Sequence, residues 1–406
     1  MSYFATSETI PQKKSLKLSS LNVDIWLLAA VILLVLIGLY AVFTTTWDYS
    51  LVTSNTVSAI FLRQFRNLLV GLVFMGIAAL VPYPIYKRPE IAIGLLIFAF
   101  ALVIFTIFFG TTTFGAKRAI FGGSVQPSEI AKLATIIYLA VWLSSKKDVL
   151  NHLFYGLFPY GILLGIATGL VAWQSDMSAA ATIAVVGGGM FLLAGASAVQ
   201  LAVVAGLGGA ASFVIYLLVE RVQIRVNDFW IATNNFLHAQ DQVRHGLAAI
   251  ISGGWFGKGP GAGIAKFALE NGYTDSIFAV IGEELGVFGM FIVLGLFVLL
   301  VSRGVRIGFH APDTMGTYLA IGLASWIGFE AMFNILAVLN LIPFVGNALP
   351  FISYGGSALV ISLTAVGILL SISRGEANAL PERRTRASVD ISRGNRRTRL
   401  SSSRTD

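Results

Sequence analysis

Three carboxylates lie at or near the start of one long apolar run, and residues of this type could take part in chemistry. Asp275 stands immediately before the run in LENGYTDSIFAVIGEELGVFG (residues 269–289), and Glu283 and Glu284 lie inside it. A positioned carboxylate can accept a proton, and a charge within a membrane costs about 3 kcal/mol on insertion scales, so it usually faces a polar interior. If the helix begins early, Asp275 and a glutamate share a face; alternatively, a glutamate holds helix ends or loop amides.

Cations and a further acid are concentrated in GAKRAIFGGSVQPSEIAK, residues 115–132. Lys117 and Arg118 lie in a Gly-rich loop suited to a phosphate or pyrophosphate group. Glu129 and Lys132 are three residues apart in a predicted helix, so they lie on one face and can pair. The pair either contributes to a binding site or merely satisfies two buried charges.

Three more ionisable residues have both a structural and a functional interpretation. Asp176 lies in the short turn QSDMS, where a turn-forming aspartate is the ordinary explanation. Arg63, in FLRQFR, could bind substrate or anchor a helix at the interface. Glu330 falls near the middle of an apolar stretch and needs a partner or a proton there.

The stretch LPFISYGGS (residues 349–357) combines a proline with Ser353, Gly355 and Gly356. A tight turn there could present backbone amides to a ligand. The alternative is close packing of neighbouring helices against small residues, which membrane proteins use widely.

Ten apolar stretches must position these residues. Of 406 residues, 56% are hydrophobic and only 12% are charged, and the mean hydropathy is +0.80, too apolar for a soluble domain. A hydrocarbon core needs about 20 apolar residues per helix. We therefore predict an all-α polytopic membrane protein with ten transmembrane helices. They span residues 24–43, 67–83, 91–109, 129–145, 153–173, 178–195, 199–219, 277–301, 314–338 and 351–373.

Lys and Arg in the short loops predict the orientation of these helices, because such residues are retained on the cytoplasmic side. Their alternation places both termini in the cytoplasm and a large extracytoplasmic loop, residues 220–276, between helices 7 and 8. Asp275 then lies at the outer mouth of helix 8. Residues 1–20 and the Arg-rich tail 375–406 are predicted to be disordered, which leaves 21–374 as one membrane domain.

Polar and Gly/Pro-rich sequence collects on the predicted outer side, as expected for a site built at one face. Four stretches lie on this side: 110–129, 174–178, 220–276 and 340–357. Within the longest of them, 220–276, residues 251–268 are interpreted as loop or re-entrant backbone.

Composition excludes several classes of function. The chain has no cysteine, which excludes disulfides and thiol chemistry, and its four scattered histidines offer no metal cluster. The net charge of +8 does not indicate nucleic-acid binding, because basic residues are concentrated in the last 24 positions, where a topology signal or a contact with anionic lipid explains them.

Several ordered motifs together resemble the SEDS family (shape, elongation, division and sporulation). They are VQPSEIAK, SGGWFGKGPG, YTDSIFAVIGEELGVFG, and the run from Asn334 through Pro343 and Gly346 to LPFISYGGS. The resemblance covers residues 24–373, and LPFISYGGS with AVIGEELG favours the division branch over the elongation branch.

The resemblance implies a peptidoglycan glycosyltransferase that polymerises lipid II at the outer face of the bacterial cytoplasmic membrane. It implies a class B penicillin-binding protein as partner, together with other division or elongation membrane proteins. Asp275 matches the aspartate that the family is thought to need for catalysis. We expect it to be the general base, with the remaining candidates binding substrate: Arg63, Lys117, Arg118, Glu129, Lys132, Asp176, Glu283, Ser353, Gly355 and Gly356.

A divalent cation held by a carboxylate could share the pyrophosphate charge, and no organic cofactor is expected. The main alternative function is a lipid II flippase. Such a transporter predicts ionisable residues through the whole membrane depth, whereas the distinctive polar motifs collect at one face.

Overall fold

A computed structural model describes residues 23–54, 59–113, 116–120, 125–146, 150, 152–235, 238–269, 272–344 and 346–375. The predicted disordered end 1–20 lies outside these residues, as does the predicted tail 375–406 except for Gly375, which ends the last helix. The helices are α1 (Ile25–Ser54), α2 (Ala59–Leu80), α3 (Pro89–Phe109), α4 (Pro127–Ser145), α5 (Phe158–Trp173), α6 (Met177–Leu193), α7 (Ala198–Leu218), α8 (Glu220–Asn234), α9 (Asp241–Gly253), α10 (Ile277–His310), α11 (Thr314–Val338) and α12 (Gly356–Gly375).

The predicted apolar stretches coincide with helices. Among the described residues, nine helices are long and apolar enough to cross a membrane, and α6 is a shorter apolar helix of 17 residues. Several boundaries differ from the prediction. Helix α1 continues to Ser54 rather than ending at 43, and α10 continues to His310 rather than ending at 301. The second helix begins at Ala59 rather than 67, and the last begins at Gly356 rather than 351, because residues 351–355 form a turn in which Phe351 has a φ of 65°.

Two of the predicted outer loops contain regular structure. The segment 220–276 includes α8 and α9, and α9 packs against α10. The segment 110–129 contains a small antiparallel sheet, β1 (Thr111–Thr113) with β2 (Ala116–Ala119). Over the described ranges, this hairpin is the one small sheet in an otherwise helical fold, and it was not predicted from the sequence.

The helices differ sharply in how much of their surface is buried. About three quarters of α4 (72%) and 61% of α11 are buried in their apolar segments, whereas none of α7 is. Pro127 occupies the first turn of α4, where proline is well tolerated because its missing N–H would have had no partner there. The buried core therefore centres on α4, α11 and α12, and α7 lies at the periphery.

Helix α10 is broken at Gly286, whose φ of 70° and ψ of −173° are outside the helical region. The break removes the helical hydrogen bonds that Val287 and Phe288 would have made to residues four earlier. Their amides instead bond to the carbonyls of Gly254 and Trp255, at 2.9 and 3.2 Å. A side chain at Gly286 would collide with backbone of this adjoining loop, so the break requires glycine.

Candidate active site

Asp275 lies just before α10, which begins at Ile277. The condition for Asp275 to share a helical face with a glutamate, an early start of the helix, is therefore not met. Its backbone is fixed from α11: the Asn334 side-chain amide donates to the Asp275 carbonyl at 2.9 Å. The Ser353 hydroxyl donates to the Thr274 carbonyl at 2.6 Å, which holds the preceding residue against the turn before α12.

The Asp275 carboxylate is half-buried and, within the described residues, accepts no hydrogen bond and forms no ion pair. Gly346 lies directly against it: with a φ of 69°, a Cβ added there would be 2.9 Å from Asp275 Oδ2. Glycine thus gives both the left-handed backbone and the space that the carboxylate occupies. The result is a carboxylate whose backbone is fixed while its oxygens remain available.

Two arginines set the electrostatics of this carboxylate. Burial raises the pKa of Asp275 to about 6, against the opposing effects of Arg225 and Arg118, which favour the ionised form. Arg225, on α8, has its own pKa lowered by burial and by the Arg118 charge. Charges from two different parts of the chain therefore act on Asp275.

Arg118 is positioned by the β1–β2 hairpin. Its guanidinium donates to the Ser175 carbonyl in the turn between α5 and α6. In return, the Gln174 side chain donates to the Arg118 carbonyl at 3.4 Å. Among the described residues, Arg118 Nε is buried and has no hydrogen-bond partner, so one N–H group of the guanidinium remains available. Lys117 lies in β2, but its side chain is outside the described part of the chain.

Asp176 caps α6 and joins it to α4. It accepts from the Ala179 amide at 3.2 Å and from Gln126 and Ser128 side chains, both at 2.7 Å. Burial opposes its ionisation, but the bond from Ser128 and the charges of Lys132 and Arg118 hold the pKa of Asp176 below its usual value. These contacts fit the structural interpretation of Asp176 and place it next to Arg118.

Lys132, Glu129 and Glu330 form a closed ion cluster, called the Lys132 cluster below. Lys132 Nζ lies 2.8 Å from Glu129 and also pairs with Glu330 on α11, and all three residues are buried. The same ammonium lies 5.4 Å from the centre of the Trp326 ring. The predicted Glu129–Lys132 pair is thus present, and Glu330 has the partner that its position required.

Glu283 organises the loop that follows α9. Its carboxylate accepts from Lys258 Nζ at 2.7 Å and from the amides of Ile264 and Ala265 at 3.1 and 2.9 Å. Glu284 accepts from the Tyr40 hydroxyl at 2.8 Å. These bonds match the alternative in which a glutamate holds loop amides.

The turn before α12 holds three of the predicted residues. Ser353 is buried and also accepts from the Leu349 amide at 2.8 Å. Gly355 precedes α12 and Gly356 is its first residue. Gln64 on α2 contacts this turn, donating to the Ser353 carbonyl at 3.2 Å. Its neighbour Arg63 lies within α2 with an exposed side chain rather than before the helix.

Three residues near Asp275 were not among the sequence candidates: Arg225, Asn334 and Gly346. Asn334 and Gly346 lie in a motif that carried the resemblance, so a polar residue in an apolar helix and a loop glycine were the available signals. Arg225 gave none, since it is one of several charges in a long loop. Within the described ranges, no three His, Asp or Glu side chains come together to hold a metal ion.

Sequence comparisons agree on one family. The family model FtsW/RodA/SpoVE, described as "Cell cycle protein", matches residues 25–378. A probable peptidoglycan glycosyltransferase FtsW of Geobacter sp. (strain M18) is 37% identical over 318 residues, which cover 77% of this chain and 86% of that protein. The protein of the same name from Bacillus subtilis (strain 168) is 36% identical, covering 89% and 92%.

Solved structures show the same fold. A chain from a structure titled "Structural coordination of polymerization and crosslinking by a peptidoglycan synthase complex" aligns with a TM-score of 0.69 and 22% identity, covering 87% of this chain and 98% of that one. The rod shape determining protein RodA of Thermus thermophilus aligns with a TM-score of 0.64 and 23% identity, covering 87% and 97%.

Proposed function

The chain belongs to the FtsW/RodA/SpoVE family of multi-pass membrane proteins, and we propose that it is a peptidoglycan glycosyltransferase of the division branch, polymerising lipid II at the outer face of the cytoplasmic membrane. The names of its sequence relatives support the activity and the branch. The observation that carries the proposal is the Asp275 carboxylate, which is available, flanked by Arg118 and Arg225, and has a pKa raised to about 6.

Asp275 is assigned as the general base. The C4 hydroxyl of the acceptor sugar attacks the anomeric carbon of the donor and gives its proton to the carboxylate. The bond between the anomeric carbon and the pyrophosphate oxygen breaks, and its electron pair leaves with the lipid pyrophosphate. A base with a pKa near the working pH serves this step well, because it is ionised before the reaction and still basic enough to take the proton.

Arg118 and Arg225 are assigned to the leaving group. A pyrophosphate leaves with developing negative charge, and guanidinium groups fixed beside it lower the energy of the transition state. Arg118 is held by Ser175, and its buried Nε has no partner in the part of the chain that the structure describes. Lys117 and Arg63 remain candidates for the same anion, whereas Glu129, Lys132 and Glu283 have contacts that fit a supporting role.

A divalent cation fits this site only if the substrate supplies some of its ligands. Mg²⁺ commonly binds through one or two carboxylates together with substrate phosphates, and Asp275 offers one carboxylate beside the proposed pyrophosphate position. Such an ion would neutralise charge on the leaving group when bound.

A class B penicillin-binding protein is proposed as the partner. The solved structure with a TM-score of 0.69 describes a peptidoglycan synthase complex in which polymerization and crosslinking are coordinated. Its similar chain supports a complex of this protein with a penicillin-binding protein, in which the partner supplies the transpeptidase.

The test is polymerisation of labelled lipid II by the protein reconstituted with its penicillin-binding partner, whose own active site is blocked by penicillin. Wild type should give glycan ladders and Asp275→Asn should not. Asp241→Asn is the matched control, because Asp241 is an exposed aspartate paired with Arg244 on the surface of α9. A folded Asp275→Asn complex that polymerises at the wild-type rate would refute the base assignment.

The flippase alternative is separated in the same vesicles. If wild type gives no ladder but moves labelled lipid II between leaflets, the protein is a transporter. The Lys132 cluster is the observation that favours this alternative, because it places three ionisable side chains inside the helix bundle.

A further inference from the structure

The loop between α9 and α10 exposes large apolar side chains, whereas its lysines bond to other parts of the protein. Trp255 and Phe256 are 69% and 83% exposed, and Ile264 and Phe267 are 66% and 67% exposed. By contrast, Lys258 pairs with the buried Glu283, and Lys266 donates to the Thr44 carbonyl on α1. A loop in water has the opposite arrangement, with its charges outside and its aromatics inside.

The backbone of this loop is paired with the broken helix. Where the break at Gly286 frees the carbonyls of Glu283 and Glu284, the amides of Lys258 and Gly259 bond to them at 2.9 and 3.0 Å. The freed amides of α10 bond to the loop in turn. Irregular backbone is tolerated at membrane depth only when its polar groups are satisfied by protein, and this loop meets that requirement along the break.

The exposed aromatics continue an apolar face of α10. Phe256 stacks on Phe288 with ring centres 6.4 Å apart, and Phe288 is itself 61% exposed in a membrane-spanning helix. Phe291 and Ile292 extend the same exposed surface along that helix. The loop surface is therefore continuous with one that hydrocarbon covers.

Length places the loop near the membrane boundary. The part of α10 between the break and Arg303, residues 287–302, carries no charge and is about 24 Å long at about 1.5 Å per residue. A hydrocarbon core is about 30 Å thick, so residues at the break lie just inside the outer edge of the core. Aromatic residues are enriched at that depth because their rings suit the headgroup boundary.

We propose that residues 254–267, the aromatic loop, are inserted into the lipid interface beside α10, with Trp255, Phe256 and Phe267 in contact with bilayer lipid. The loop carries Glu283's partners, so its insertion fixes the depth of this part of α10 relative to the bilayer surface. The occupant of this surface is bulk lipid rather than a protein helix.

The chain's lack of cysteine makes the test direct, because a spin label can be attached to Phe256→Cys without removing native thiols. The labelled protein is placed in lipid nanodiscs, and its accessibility to oxygen, which partitions into lipid, is compared with that to a water-soluble nickel chelate. Val298→Cys, 61% exposed in mid-α10, is the lipid reference. Asp241→Cys, on the exposed surface of α9, is the aqueous reference.

We expect the Phe256 label to favour oxygen over the nickel chelate several-fold, with a ratio closer to that at Val298 than to that at Asp241. A ratio equal to the Asp241 value would mean that the loop lies in water and would overturn the proposal. Low accessibility to both reagents would mean that protein covers the loop, and would overturn it as well. Phe267→Cys, at a second exposed aromatic, should give the same pattern as Phe256→Cys.

Discussion

The Lys132 cluster and the surroundings of Asp275 both involve carboxylates next to α11, but the carboxylates of the cluster are paired, whereas that of Asp275 is available. Glu330 and Asn334, one turn apart on α11, contact the two regions respectively. In the Lys132 cluster, the ammonium bonds to both carboxylates. At Asp275, the described bond from α11 goes to the backbone carbonyl, and the charges of Arg225 and Arg118 favour the ionised carboxylate.

This difference shows how one helix face can support both stability and chemistry. A buried carboxylate that is fully paired contributes little reactivity, because its proton affinity and its oxygens are already engaged. A carboxylate fixed through its backbone keeps its oxygens for substrate. The comparison therefore assigns a structural role to Lys132 and a chemical role to Asp275, and each assignment can be tested by its own substitution.

Replacing Asp275 by Asn should have the largest effect on activity. The amide keeps the shape but cannot accept the proton, so we expect polymerisation to fall by about 10²–10⁴-fold with little change in thermal unfolding. Initial rates of glycan formation and a melting curve in detergent measure the two quantities. A loss of folding together with activity would place Asp275 with the structural group and erase the contrast.

Lys132→Met should chiefly affect stability. The substitution leaves Glu129 and Glu330 buried without their cation, and breaking a buried pair in this way costs about 3–5 kcal/mol. The measurement is the unfolding free energy or, where unfolding is irreversible, the yield of folded protein. The matched control adds Glu129→Gln and Glu330→Gln, which removes the stranded charges and should recover much of the loss; no recovery would indicate that the ion cluster is not the cause.

Gly346→Ala tests the close approach to Asp275. Its positive φ costs a residue with a Cβ about 1–3 kcal/mol, and that Cβ would lie 2.9 Å from the carboxylate. We expect a rate loss of about tenfold or more, with a smaller loss of stability than in Lys132→Met. Gly295→Ala is the control, since that helical glycine faces open space. Equal rates in the two variants would show that Gly346 does not position the acid.

The pH dependence of the polymerisation rate is the prediction with the smallest expected effect, and it tests how the arginines act on Asp275. The base must be ionised, so the rate should fall as pH drops through about 6 and be about tenfold below its plateau at pH 5. Arg225 lowers the pKa of Asp275, so Arg225→Gln should move the midpoint upward. A pH profile of the initial rate measures this midpoint separately from the plateau, and an unchanged midpoint would mean that Arg225 does not act on Asp275.

Much of the fold was readable from the sequence, because a spanning helix is encoded locally by the length of an apolar run. The predicted stretches coincide with helices, and the Glu129–Lys132 pair follows from helical spacing alone. Gly286 shows where local reading failed: the run from Ile277 to His310 gives no sign of a break. Its position depends on a loop that replaces the lost helical hydrogen bonds.

The sequence by itself determined that this is a polytopic membrane protein, which motifs it carries, and that Asp275 stands at the mouth of a helix. Only the tertiary structure decided which acids are engaged and which is available. The physical reason is distance along the chain: Glu330 reaches Lys132 across 198 residues, and Asn334 reaches Asp275 across 59. No local pattern specifies such contacts, and they determine whether a buried carboxylate is a structural ion or a base.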